Sequence, residues 1–172
     1  MNLALVPAAF LNGIAPWALL TAMFLHGDLL HLAGNLYFLA IFGDSVEDRL
    51  GLGEYLALYF LGGVAASLVH IATAPSSDIP MLGASGAISA VMGAYVYLFP
   101  HRKLYVMAVV FMHRVRAVWY LVLWLALQVY FAVQGAPGVA WWAHIGGAAF
   151  GVAFAAFHRA VIRRRLQSAQ AA

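Results

Sequence analysis

Four side chains carry the chemistry this sequence can offer: Ser85, His144, His31 and Asn35. Ser85 lies in Gly83-Ala84-Ser85-Gly86, a hydroxyl between two glycines where a hydrophobic helix should begin. A serine is a weak nucleophile until a base takes its proton, and histidine is the commonest base. His144, in Ala143-His144-Ile145-Gly146-Gly147, is the candidate. An attacked carbonyl then needs donors for its developing negative charge. The Ser85 backbone N–H is one, because the first N–H groups of a helix have no intrahelical acceptor. The side chains of His31 and Asn35 are two more; they stand four residues apart and share a helix face. No carboxylate lies in the apolar segments near His144, and Asp28 and Asp78 fall in loops, so the site reads as a Ser–His dyad. A plainer reading competes, in which the small residues around Ser85 serve only helix packing.

The elements that must position these groups are membrane helices. Of 172 residues, 65% are hydrophobic and 9% charged, with a mean hydropathy of +0.89. A soluble domain of this length cannot bury that much apolar surface, so the class is an all-α, polytopic transmembrane helical bundle in one domain. There is no cysteine, which excludes disulfides, thiolate nucleophiles and Cys-ligated metals. The pI near 9.5 is read as orientation in the bilayer rather than nucleic-acid binding.

Residues 1–28 form an outer interfacial loop region, broken by Pro7, Gly13 and Pro16. A transmembrane core follows over 29–161, with spans at 29–42, 54–73, 85–99, 118–133 and 142–161, and then a basic tail over 162–172. A polar loop is expected at 43–53, and the stretch 104–112 is too short to span and should lie at the interface. With five spans, all nine Lys and Arg fall on the side of the C-terminus, which places that end in the cytoplasm. The first, third and fifth spans then run the same way, and their first turns share one depth in the outer part of the membrane. Ser85, Ser89 and Gly93 line one small-residue face, and Gly147 and Gly151 line another beside His144. Two such faces can pack backbone to backbone, which would bring Ser85 to His144.

Four pieces of the chain, Phe24 to Asn35 with its His26-Gly27-Asp28-Leu29-Leu30-His31, Phe42 to Glu47, Gly83 to Gly86, and Ala143 to Gly147 with Gly151, occur in an order and spacing that resembles the rhomboid intramembrane serine proteases, from about residue 17 to residue 158. The resemblance implies Ser85 as nucleophile, His144 as base, His31 and Asn35 as oxyanion helpers, and His26 as a polar packing or water-organising residue. It implies an endopeptidase whose partners are the lipid bilayer and transmembrane protein substrates, cut near the outer end of their helices, with no cofactor, metal or nucleic acid. It also implies a bundle with five of the usual six core helices here, and a further membrane helix ahead of residue 1. Two other departures from the family pattern stand out. Trp17 is followed by Ala18 where many members have arginine. Ser89 takes a position that is aromatic in some members, which leaves His144 held by packing alone.

Other residues invite structural readings. His70 reads as a structural or interfacial histidine, and His101, His113 and His158 as headgroup contacts. Trp119, Trp141 and Trp142 read as interface anchors. Gln128 shares a face of the fourth span with Trp124 and reads as an interhelical hydrogen bonder, in preference to a lining residue of a substrate entry path. Among rival functions, a metalloprotease would use His26, His31 and His144, but no HExxH is present. A transporter or channel lacks an ion path. A catalytically inactive rhomboid-like protein that binds membrane clients would need neither Ser85 nor His144. The absence of cysteine and the simple core point to a bacterial inner membrane.

Overall fold

The computed structural model describes residues 3–108 and 111–171. Two short helices, α1 (Pro7–Leu11) and α2 (Ala18–Thr21), and a 3-10 turn at Ala22–Phe24 make up the first segment. They do not float free of the bundle. Leu5 and Met81 exchange backbone hydrogen bonds of 3.0 and 2.7 Å, and the Gly83 N–H donates to the Ala22 carbonyl at 2.9 Å. The approach to Ser85 is therefore pinned by the N-terminal segment.

Helix α3 (Leu29–Leu50) opens where the Asp28 side chain accepts from the His31 backbone N–H at 2.7 Å, an N-cap of the usual acidic kind. The helix does not stop at Phe42. The expected polar loop at 43–53 is instead two more helical turns, because nothing from Gly43 to Leu50 breaks a helix; the break waits for Gly51 at φ +85°. Helix α4 (Leu52–Thr73) returns, and α5 (Ser85–Leu98) descends again. Helices α6 (Ala117–Val133) and α7 (Trp141–Ala171) complete the bundle, and α7 continues as one helix through the basic tail. Three of these, α3, α4 and α7, are long and apolar enough to cross a membrane, while α5 and α6 are shorter apolar helices. The protein is an all-α, multi-pass membrane bundle.

Between α5 and α6 the stretch expected to lie flat at the interface forms an antiparallel hairpin, β1 (Lys103–Ala108) with β2 (Phe111–Arg116), in register from Lys103 opposite Arg116 to Ala108 opposite Phe111. The cause is a period-2 pattern: Leu104 and Val106 are buried, while Lys103 and Tyr105 are exposed. Val109 and Val110, within that expected segment, lie outside the described residues, as do the side chains of His113 and Arg165.

The seam between α5 and α7 organises the bundle, and it is built as the small-residue spacing predicts. A Cβ on Gly147 would overlap the Gly86 carbonyl oxygen, one on Gly151 the Ala90 carbonyl oxygen, and one on Gly93 the Ala148 carbonyl oxygen. The two backbones touch, which only glycine permits. At the end of the bundle away from Ser85, the Arg102 Nη1 donates to Ser45 Oγ at 2.9 Å, and His158 pairs with Glu54. Phe42 and Tyr95 meet edge to face between these two ends, with ring centroids 5.1 Å apart.

Candidate active site

Ser85 is the first residue of α5, and His144 lies in the first turn of α7. The glycine seam sets these two helix starts side by side. The result is a hydrogen bond of 2.8 Å between Ser85 Oγ and His144 Nε2. The two residues line a cavity of about 790 Å³, together with His31, Asn35, Met92 and Trp124. The cavity is open at one side and lies in the half of the bundle that carries the N-terminal segment.

Sequence reasoning left His144 to packing, and the structure corrects this. The other ring nitrogen, Nδ1, lies 2.8 Å from Oε1 of Gln128, a side chain only 5% exposed. An amide oxygen accepts, so Nδ1 carries the proton and Nε2 presents its lone pair to the Ser85 hydroxyl. That is the tautomer a general base needs. The expected interhelical role of Gln128 holds; what the sequence did not give is that its partner is the candidate base. The stacking aromatic is also present, supplied from another helix: Trp124 stacks on His144 at 5.9 Å with 30° between planes. Trp124 and Gln128, four apart on α6, thus grip one imidazole. Their i, i+4 spacing was the available signal. Ser89, at the position that is aromatic in some rhomboids, donates its hydroxyl to the Ser85 carbonyl at 2.6 Å.

Trp141 has a second task. Its Nε1 donates to the Ala136 carbonyl at 2.8 Å and its ring stacks on Phe131 at 4.9 Å, so it fastens the loop above the site. Its edge also faces His144 at 6.4 Å. Trp119 and Trp142 are exposed, as anchors would be.

Asn35 is buried, and its Nδ2 donates one proton to the His31 carbonyl at 3.1 Å, leaving a second for another acceptor. His31 accepts at Nδ1 from the Gly27 N–H at 3.4 Å, which leaves Nε2 as the donor. That Nε2 borders the space beside Gly83: a Cβ there would sit 2.8 Å from it and 3.7 Å from Ser85 Oγ. Gly83 also holds φ +120°, so both backbone and space demand glycine. A carbon at that point overlaps the His31 ring, whereas an oxygen 2.8 Å from Nε2 would stand at hydrogen-bond distance, close to the Ser85 hydroxyl. A carbonyl oxygen fits that chemistry.

His26 stands behind this shell. Its ring meets the His31 ring edge to face at 5.2 Å, and its Nε2 is buried without a hydrogen-bond partner among the described residues. Burial, then the neighbouring His31 charge, lower its pKa below the ordinary 6.5, partly offset by a hydrogen bond to the Phe24 backbone. His70 lines the same cavity from α4. Both ring nitrogens of His144 are engaged, one by Ser85 and the other by Gln128.

The rhomboid domain family model matches residues 15–160 of this chain. Rhomboid protein 1, mitochondrial, of Saccharomyces cerevisiae is 31% identical over 166 residues, covering 90% of this chain and 46% of that protein. Presenilin-associated rhomboid-like protein A, mitochondrial, of Danio rerio is 35% identical over 147 residues, covering 83% of this chain and 38% of that protein. Rhomboid protease GluP of Bacillus subtilis is 37% identical over 90 residues, 52% of this chain and 17% of that protein. The chain spans less than half the length of these curated relatives. A bundle built on the α5–α7 glycine seam, with a family match running through both of its helix starts, identifies the protein as a member of the rhomboid family.

Proposed function

We propose that this protein is an intramembrane serine endopeptidase that cuts the transmembrane helices of membrane-protein substrates near their outer ends. The observation that carries the reading is the 2.8 Å contact between Ser85 Oγ and His144 Nε2, with the imidazole tautomer fixed by Gln128. In the reaction, Ser85 Oγ attacks the scissile carbonyl carbon while its proton passes to His144 Nε2. The carbonyl oxygen takes the negative charge beside the Ser85 N–H, His31 Nε2 and Asn35 Nδ2. His144 then gives its proton to the leaving amine. Water entering through the cavity loses a proton to His144 and attacks the acyl carbon; as the ester bond breaks, His144 returns that proton to Ser85 Oγ and the acid product leaves.

The chemistry needs no cofactor. The C-terminus would face the cytoplasm, with the site in the outer half of the membrane. The host membrane is proposed to be a bacterial plasma membrane; two of the relatives above carry mitochondrial names, and an organelle inner membrane is the other compartment that the resemblance allows.

Fluorophosphonate labelling of the purified chain tests the reading. Wild type should label, and Ser85→Ala and His144→Ala should not. Asn35→Ala should slow cleavage of a transmembrane substrate by about 10²–10³-fold, the usual loss of an oxyanion donor. A folded wild-type chain that never labels would favour the alternative, an inactive rhomboid-like protein that binds membrane clients.

A further inference from the structure

The end of the bundle opposite Ser85 holds a second recess, of about 350 Å³, between the last turns of α5 and the C-terminal half of α7. Its α7 wall carries Arg159, Arg163 and Arg164, with Gln167 one turn on. Tyr97 of α5 forms the other wall, and the small side chains of Ala156 and Ala160 leave the space between. No carboxylate lines it. Among the described residues, none of the three guanidinium groups makes an ion pair, while Glu54 is taken by His158. Three like charges with no counter-charge in one recess repel one another, so the arrangement favours an anion from outside the chain.

Depth decides which anion. At 1.5 Å per residue, Arg159 to Arg164 lie about 27–35 Å along α7 from Trp141. Hydrocarbon is about 30 Å thick, so these side chains reach the phosphate level of the leaflet opposite the Ser85 end. Phe157 and Ile162 are exposed on the same stretch of helix, an apolar surface against which acyl chains can lie. Guanidinium forks match phosphate oxygens, and the amide of Gln167 and the Tyr97 hydroxyl can add donors. We propose that this recess binds the headgroup phosphate of an anionic phospholipid from that leaflet. The site is independent of Ser85 chemistry, because its residues lie at the other end of α5 and α7.

The test uses the full chain in phosphatidylcholine nanodiscs containing a minor fraction of phosphatidylglycerol, with native mass spectrometry reading the lipid retained. Wild type should retain phosphatidylglycerol over phosphatidylcholine. R159Q/R163Q/R164Q should lower that retention about tenfold or more. The hairpin variant K103Q/R114Q/R116Q removes the same charge and should retain the lipid; equal loss in both would mean a general basic belt and overturn the proposal. Ala160→Trp fills the recess and keeps every charge, so retention unchanged by it would also overturn the proposal. It also keeps the question answerable if the triple arginine variant fails to fold. Inorganic phosphate added in excess should not displace the lipid; displacement would mean a site for free anions and overturn the lipid assignment.

Discussion

Helices α5 and α6 are both short and apolar, at 14 and 17 residues, yet they live in opposite surroundings. Every residue of α5 from Ala87 to Tyr95 is buried, whereas α6 buries only Ala117, Leu121 and Gln128. Apolar character does not separate them; residue size does. Helix α5 is rich in Gly, Ala and Ser, which let α4 and α7 close on it. Helix α6 is rich in Leu, Val, Trp and Tyr, which suit contact with lipid. The candidate nucleophile therefore sits on the most tightly held helix, and the candidate base is oriented by the most loosely held one, through a single buried amide.

That contrast can be broken from the tight side first. Gly151→Leu pushes a side chain into the Ala90 carbonyl and should cost about 3 kcal/mol or more, enough that little folded protein survives detergent extraction. Size-exclusion and thermal-melt profiles would read this, and a monodisperse, wild-type-like profile would show the seam to be slack. On the loose side the chemistry should fail before the fold. Gln128→Leu should leave the melting profile near wild type and lower the turnover of a transmembrane substrate by about 10²-fold, while Gln128→Glu, which can still accept from Nδ1, recovers most of it. Equal loss in both would mean that the amide only packs. Gly83→Ala places a methyl between His31 and Ser85 and should slow acylation by about tenfold or more without unfolding the chain; a normal labelling rate would place the substrate oxygen elsewhere.

The smaller effects sharpen the same picture. The lowered His26 pKa means that the unfolded chain takes up a proton more readily than the folded one once the pH falls below about 6.5. Stability should decline from there toward the lower folded value, and His26→Gln should flatten that part of the melting curve. An acid limb unchanged by the substitution would argue against burial of His26. Last, Leu123→Ala on the exposed face of α6 should shift stability by less than about 0.5 kcal/mol, the mark of a surface that has no protein partner.

Much of the site was legible because its signals are local. His31 and Asn35 announce themselves by an i, i+4 spacing, and the glycines that join α5 to α7 by small residues four apart. The charge asymmetry of the loops then put Ser85 and His144 at one depth. What stayed hidden depends on rotation about helix axes. Nothing in the sequence of α6 says whether Gln128 points toward α7 or toward another neighbour, so the third member of the hydrogen-bonded chain could be suspected only as a generic polar contact. The β1–β2 hairpin is hidden for a different reason. Its apolar residues suit a membrane interface as well as a strand, and the alternation of Lys103, Leu104, Tyr105 and Val106 covers only four residues. The end of α3 is hidden because charged residues mark loops and exposed helical turns alike: Asp44, Glu47 and Asp48 sit in helix, and only Gly51 ends it.

The short length of α6 also bears on the bilayer itself. Seventeen residues rise about 26 Å, while the 22 residues of α3 and of α4 rise about 33 Å. The apolar skirt of the molecule is thus uneven: it is lower along α6 than along α4, and on α3 it stops short of Asp44, Glu47, Asp48 and Arg49 in the last two turns. Acyl chains that meet α6 must shorten or tilt to match it, and those on the far side need not. The protein should then prefer regions of matching hydrophobic thickness, and in thick bilayers the elastic cost of mismatch would fall on the helix that carries Gln128 and Trp124.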